Sequence, residues 1–424
     1  MRTERVAIHT EFIKLDQLLK YAGVALTGCF PERRILPCPR QKDSPGGCCP
    51  LGRRTGTEGC LRAMKVTELS LRQFRNLSDA SFSPGEGINI LYGDNAQGKT
   101  NLIEAIYLFT GLKSFRSARD AQLIEHGRDF SRLDMKFEAG GRMQQASLQI
   151  DKGRHVVLND VDRGLSSALT GVFCACLFSP DHLELVKDGP ALRRKFLDGA
   201  LCVISRRYQK LLLDYNKVLV QRNSLLKDVA FSADLLSMLD VWDQSAARLG
   251  AALLDVRRRY VARLNAEASK LYEGISGGKE QFSVSYQCMD CGSPDETGLL
   301  AAFLSARPQD VRTGGSSVGP HRDDLEILIN GMSAREYGSQ GQQRSCVLAL
   351  KLAEAMILSD SVGEPCVILL DDVMSELDNT RKEFLLNHLQ GQQVFITCCD
   401  ASYFSSLKEG NVFEVRHGNI FKQR

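Results

Sequence analysis

The apolar positions of this chain change period several times, and each change marks an element. From Met64, MKVTELSLRQFRNL sets Val66, Leu69, Leu71 and Phe74 as the inward positions of a strand. INILY (Ile88–Tyr92) is an unbroken apolar run, the pattern of a short buried strand. Over residues 100–112 the spacing turns helical, through Leu102, Ile103, Ile106, Tyr107 and Leu108. It does so again through Val347, Leu348, Leu350, Leu352, Ala353, Met356 and Ile357. CVILL (366–370) and residues 393–397 supply two more buried strands.

Two longer series lie between these blocks. Leu197, Leu201, Ile204, Tyr208, Leu211, Tyr215 and Val218 recur at alternating four- and three-residue steps. So do Leu239, Trp242, Ala246, Leu249, Leu253, Val256 and Tyr260. Heptad-like seams of this kind predict two helices of roughly 35–45 Å. The short connection LLKDVAFSAD requires them to pack antiparallel, as an arm.

No period survives in residues 29–63, which hold five of the 12 prolines and five of the 14 cysteines. The expectation is that residues 1–63 form an extension outside the working fold, which begins at Met64. Residues 1–28, with VAIHTEFIKLDQLLKYAGVALTG, are orderly and resemble the opening of a small ribosomal-protein-like RNA-binding domain. A frameshifted fusion and a flexible leader both account for the join.

Composition adds mainly exclusions. With 43% hydrophobic and 25% charged residues the chain is globular. No run of 18 apolar residues marks a membrane span, and the start lacks a secretory pattern, so a cytoplasmic protein with reduced thiols is expected. Cys288 and Cys291 form one CxxC without the second pair that a zinc site needs. The net charge of +3 arises in residues 1–63; the remainder is slightly negative, so only local basic clusters can speak for DNA.

The chemistry starts at Gly93-Asp94-Asn95-Ala96-Gln97-Gly98-Lys99-Thr100, a GxxxxGK[ST] loop between a strand and a helix, followed by Asn101. Glycines let backbone N–H groups wrap phosphates, and the helix N-terminus adds partial positive charge. Lys99 would neutralise the β and γ phosphates, and the Thr100 hydroxyl would ligate Mg²⁺. Far along the chain, Asp371 and Asp372 end an apolar strand: Asp371 suits the metal side, and Asp372, on the other side of an extended chain, suits the attacking water. Ser339-Gln340-Gly341-Gln342 begins the later helix with small polar residues fit to face an anion.

The order of cradle, long insertion, polar helix start and acidic pair resembles the ATP-binding-cassette heads of the SMC and RecF class. LSLRQFRNL, GDNAQGKTNLIEAIY, SFRSARDAQLI, FSPDHLELVKDGPALRRKFLD, GPHRDDL, SQGQQRS and LLDDVMSELD narrow the resemblance to the RecF family. It implies an α/β P-loop ATPase head in two segments, residues 64–185 and 309–424, with the antiparallel helical arm (186–308) inserted. It implies ATP and Mg²⁺, an ATP-dependent homodimer in which Ser339–Gln342 act in trans, and Ser375 and Asp378 in the loop after the acidic pair. Arg75 is implied at the nucleotide. Implied too are double-stranded and gapped DNA, RecR, RecO and RecA as partners, a place in recombinational repair and the SOS response, and slow, DNA-dependent hydrolysis. Cys399 stands where transporter ATPases carry a phosphate-sensing histidine, which fits slow turnover. His321 in GPHRDDL is expected to serve a structural or interdomain role rather than a phosphate contact. Arg206, Arg207, Arg257, Arg258, Arg259 and Arg263 on the arm are candidate phosphate contacts. An SMC-like chromosome tether is the alternative, which the short arm disfavours.

Overall fold

The computed structural model describes residues 63–229, 233–288, 293–399 and 410–423. The described residues form one compact unit. The expectations for residues 1–62, and the Cys291 half of the CxxC, lie outside the described residues.

The described part of the chain opens with a hairpin of β1 (Lys65–Phe74) and β2 (Leu77–Phe82), and then β3 (Ile88–Tyr92) leads through the glycine loop into α1 (Lys99–Leu108). The four expected inward positions of β1 are all buried. Their uneven spacing has two causes: a bulge between Val66 and Glu68, and Gln73 with φ of 53°. A meander follows, β4 (Ser131–Ala139), β5 (Arg142–Ile150), β6 (Arg154–Leu158) and β7 (Val161–Gly164). It completes an antiparallel sheet in the order β2-β1-β4-β5-β6-β7.

After β8 (Ala175–Phe178) the helices come together: α2 (Pro180–Leu183), α3 (Pro190–Ile204), α4 (Arg206–Val229) and α5 (Leu239–Ser276). The first heptad series is therefore split. Ser205 adopts an extended backbone, and its hydroxyl accepts from the Tyr208 N–H at 3.1 Å, so it ends α3 and caps α4. Leu197, Leu201 and Ile204 belong to α3; Tyr208 to Val218 belong to α4. At 38 residues, α5 also outruns its expected length, reaching about 57 Å at 1.5 Å per residue. It stops only at Gly277, whose φ of 64° supplies the left-handed cap. Contacts between α4 and α5 pair Tyr208 with Arg257, Arg222 with Asp243 and Leu226 with Leu239. Numbers rise on one helix as they fall on the other, which is the antiparallel arrangement.

β9 (Phe282–Gln287), α6 (Glu296–Thr313), β10 (Asp324–Ile329) and β11 (Met332–Ser333) follow, with β9, β10 and β11 forming a small antiparallel sheet. The stretch 186–308 is thus not helical throughout, since β9 pairs with β10. Last come α7 (Gln340–Val362), β12 (Val367–Leu370), α8 (Asn379–His388), β13 (Val394–Cys398), β14 (Asn411–Arg416) and β15 (Asn419–Lys422).

The second six-stranded sheet runs β15-β14-β3-β13-β12-β8 and is parallel except for β15. Every residue of β8, β12 and β13 is buried, as parallel strands covered on both faces require. Their carboxyl ends share one edge, where α/β sheets bind ligands. The glycine loop leaves β3 there, Asp371 and Asp372 leave β12, and Cys399 leaves β13.

GPHRDDL packs against the helices of the arm. His321 bonds Tyr215 Oη of α4 at 3.0 Å through Nδ1, and its Nε2–H donates to the Ser316 carbonyl at 3.1 Å. Burial pushes the imidazole down to about 4, so it is neutral at ordinary pH. Gly319 has φ of 115°, and a Cβ there would lie 2.7 Å from Tyr215 Oη. Next to them Asp324 pairs with Arg193 of α3 at 2.6 Å.

Candidate nucleotide site

The glycine loop needs its glycines for two separate reasons. A Cβ on Gly93 (φ 149°) would sit 2.3 Å from the Val415 carbonyl of β14. Gly98 (φ 115°) would clash with Leu77 and Asn76, and it holds the left-handed position that starts α1. Side chains then brace the loop from outside. Asn76 Nδ2 donates to the Ala96 carbonyl at 3.0 Å, and the His417 N–H donates to Gln97 Oε1 at 2.6 Å. Lys99 is buried, its ammonium held 2.5 Å from the Gly93 carbonyl and 2.8 Å from that of Asp94.

This loop forms one wall of a cleft of about 580 Å³, within the range of ligand sites. Asn95, Ala96, Gly98, Lys99, Thr100 and Asn101 line it, facing Asp372, Thr397 and Cys399. The first-turn N–H groups of α1, which a helix leaves without internal partners, open onto the same space. A chain of anionic phosphates fits these donors and the Lys99 charge.

Behind Thr100 lies Asp371. Its Oδ1 accepts from the Thr100 hydroxyl at 2.9 Å and from the Thr397 hydroxyl at 2.9 Å. Burial holds the carboxyl above its ordinary value, against those two bonds. A hydroxyl and a carboxylate oxygen side by side are the hard donors Mg²⁺ takes. Asp371 and Thr100 would hold that ion, which would neutralise phosphate charge.

Asp372 departs from expectation. It is not extended but left-handed, with φ of 53°, because its N–H turns back onto Thr397 Oγ1 at 2.8 Å. Strand alternation therefore does not aim it; that turn does. It is exposed and lines the cleft, and Ser375 Oγ donates to its carbonyl at 2.9 Å. Arg75 lines the cleft, and its guanidinium makes two bonds of 2.9 Å to Glu104. Cys399 Sγ lies 3.2 Å from Asn95 Oδ1.

Several participants escaped the sequence reading. Thr397 links both acids. Fully buried Glu104 anchors Arg75 and the Ser114 hydroxyl. Arg116 lines the cleft, donates to Asn101 Oδ1 at 2.9 Å, and its positive charge favours the ionised form of Asp371. Its signal was the pair of basic residues in SFRSAR, which begins six residues past the end of α1.

The Ser339–Gln342 segment is not brought to this cleft. Ser339 caps α7: its Oγ accepts from the Gln342 N–H at 3.3 Å, and Gln342 Oε1 accepts from the Ser339 N–H at 2.8 Å. Ser339 and Gln340 are exposed. Asp378 caps α8, and Arg381 reaches from there to the Gly341 carbonyl at 2.8 Å and Ser345 Oγ at 2.9 Å.

The arm arginines divide. Arg257 is 2% exposed, bound bidentately to Asp198 at 2.8 and 2.9 Å and to the Pro320 carbonyl at 2.7 Å, so it is not a DNA contact. Its place on the inner face of α5, against Tyr208, explains this. Arg259 pairs with Asp255 at 2.5 Å and Arg263 with Asp360 of α7 at 2.7 Å. Arg206, Arg207 and Arg258 are exposed and form no ion pair among the described residues.

Residues 65–420 match the family model of the RecF/RecN/SMC N-terminal domain. The chain is 37% identical to the DNA replication and repair protein RecF of Agathobacter rectalis, over 84% of this chain and 99% of that protein. It is 36% identical to RecF of Clostridium acetobutylicum, over 84% and 99%. A solved structure of the recombination mediator protein RecF with ATP, in the RecFOR pathway, superposes with a TM-score of 0.80 at 34% identity, covering 87% of this chain and all of that one. An SMC head bound to the ScpA winged-helix domain shares the fold at 14% identity and a TM-score of 0.50.

Proposed function

Because the chain belongs to the RecF family of DNA replication and repair proteins, within the RecF/RecN/SMC N-terminal domain group, we propose that it is an ATP-gated DNA clamp working as a homodimer. One copy cradles the triphosphate and Mg²⁺ with Lys99, Thr100 and Asp371; the other closes over the γ-phosphate with Ser339–Gln342. Asp372 orients or deprotonates the attacking water, and hydrolysis is slow and DNA-dependent, a timer for release. The clamp acts at duplex next to single-strand gaps in recombinational repair and the SOS response, with RecO and RecR, to help load RecA. The observation that carries this reading is the exposure of Ser339 and Gln340 at the start of α7, outside the cleft that their own chain lines.

Sedimentation with and without ATP and Mg²⁺ tests it. Wild type should form dimers only with ATP. Lys99→Met should bind no nucleotide, and Ser339→Arg should bind it yet remain monomeric. Ser339→Arg dimers as stable as wild type would defeat the reading.

DNA contacts fall to Arg206, Arg207 and Arg258. The antiparallel register that sets Tyr208 against Arg257 puts Arg207 level with Arg258, at the end of the arm where Arg263 meets α7. Lysine and arginine there bind backbone phosphates without reading sequence. Arg206/Arg207/Arg258→Glu should weaken duplex binding at least about tenfold and flatten its salt dependence, with ATP affinity unchanged. Equal duplex affinity at several salt concentrations would remove these residues from the interface.

A further inference from the structure

We propose that the outward face of α4 docks an acidic, amphipathic helix of a partner protein. The inner face of this helix is spent: Tyr208, Tyr215, Val218, Leu219, Arg222 and Leu226 are buried, with Tyr208, Arg222 and Leu226 against α5. On the opposite side Lys210, Leu213, Lys217, Val220, Ser224 and Lys227 are all exposed. They recur at steps of three, four, three, four and three, a second heptad seam along which no helix of the described residues packs, its Lys227 end alone meeting the α6 C-cap at Gly314. Leu213 and Val220, one heptad apart, are 52% and 64% exposed. Exposed aliphatics are ordinary singly; two in register along one seam, framed by lysines, are a docking stripe.

Charge decides the occupant. Along the stripe the acids are Asp214, 3.7 Å from Lys217, and Asp228 near the tip, against Lys210, Lys217 and Lys227, with Arg206 and Arg207 at the near end. Residues 1–63 of this chain carry a net charge of about +5 by formal count and are repelled. A second copy presenting the same face would set lysine against lysine. Duplex phosphates would satisfy the lysines but leave Leu213 and Val220 against charged backbone. A helix with aliphatic residues on its seam and Glu or Asp beside them satisfies both features at once.

The probe is a fluorescein-labelled peptide of three EIAALEK heptads, titrated into the full-length protein and followed by anisotropy, with three KIAALKE heptads and a duplex of about 30 base pairs alongside. The acidic peptide should bind at least about tenfold more tightly than the basic one. Leu213→Ser/Val220→Ser and Lys210→Glu/Lys217→Glu should each weaken it about tenfold or more, with ATP affinity unaltered. The serine pair should leave duplex affinity untouched. The proposal is overturned if the acidic peptide fails to bind, if the two peptides bind alike, or if the variants bind it as wild type does. Loss of duplex affinity in the serine pair would instead assign the stripe to DNA.

Discussion

Asp372→Asn should leave the chain folded, ATP bound and the dimer assembled, while hydrolysis falls by roughly two to four orders of magnitude, the usual worth of a positioned general base. The change is nearly isosteric. Asparagine tolerates the left-handed backbone that Asp372 occupies at φ 53°, so neither the turn nor the N–H bond to Thr397 should be disturbed. What disappears is the proton acceptor on the exposed side of the cleft. Asp371, fixed by two hydroxyls and buried, cannot replace it. Single-turnover hydrolysis gives the rate, and sedimentation with ATP gives the dimer. Turnover within about threefold of wild type would mean that water is activated elsewhere, because general-base removal costs far more than that.

Arg222→Ala should cost about 3–5 kcal/mol of stability, the penalty for leaving a buried charge without its partner. Arg222 is wholly buried on α4, with Nε 2.6 Å from Asp243 of α5 and Nη1 2.7 Å from both Asp310 of α6 and the Ser316 hydroxyl. Its guanidinium also lies 4.9 Å from the Phe303 ring centre. Asp243 keeps Arg307 at 2.6 Å, but Asp310 is left with only Ser317. Urea denaturation followed by circular dichroism measures the loss. Pairing Arg222→Met with Asp310→Asn should restore a large part of it, since the stranded carboxylate is then gone. A loss under about 1 kcal/mol for the alanine variant would show that water already compensates the site.

How much of this the sequence disclosed follows the range over which each feature is determined. The cradle is local: a strand, two glycines and a helix start fix Lys99 and Thr100 within a dozen residues. The antiparallel arm was likewise legible, because heptads report the buried face directly. The break at Ser205 was not, since one capping hydroxyl outweighs a seam that continues on both sides of it. Thr397 carries no motif, and Glu104 sits within GDNAQGKTNLIEAIY without a role that the stretch itself assigns. Their importance comes from partners that folding brings close, as with Thr100 and Asp371, 271 residues apart. Arg257 misled for a related reason: three consecutive arginines look alike in sequence, but on a helix the first turns inward to Asp198 while its neighbours face water.

Arg381 acts as a crossbar between the start of α8 and the first turns of α7. In a two-copy sandwich, the lid that each molecule lends its neighbour is therefore bolted to the segment trailing its own acidic pair. Capturing the first triphosphate would then preset the geometry awaiting the second, so occupancy should climb sigmoidally with nucleotide concentration.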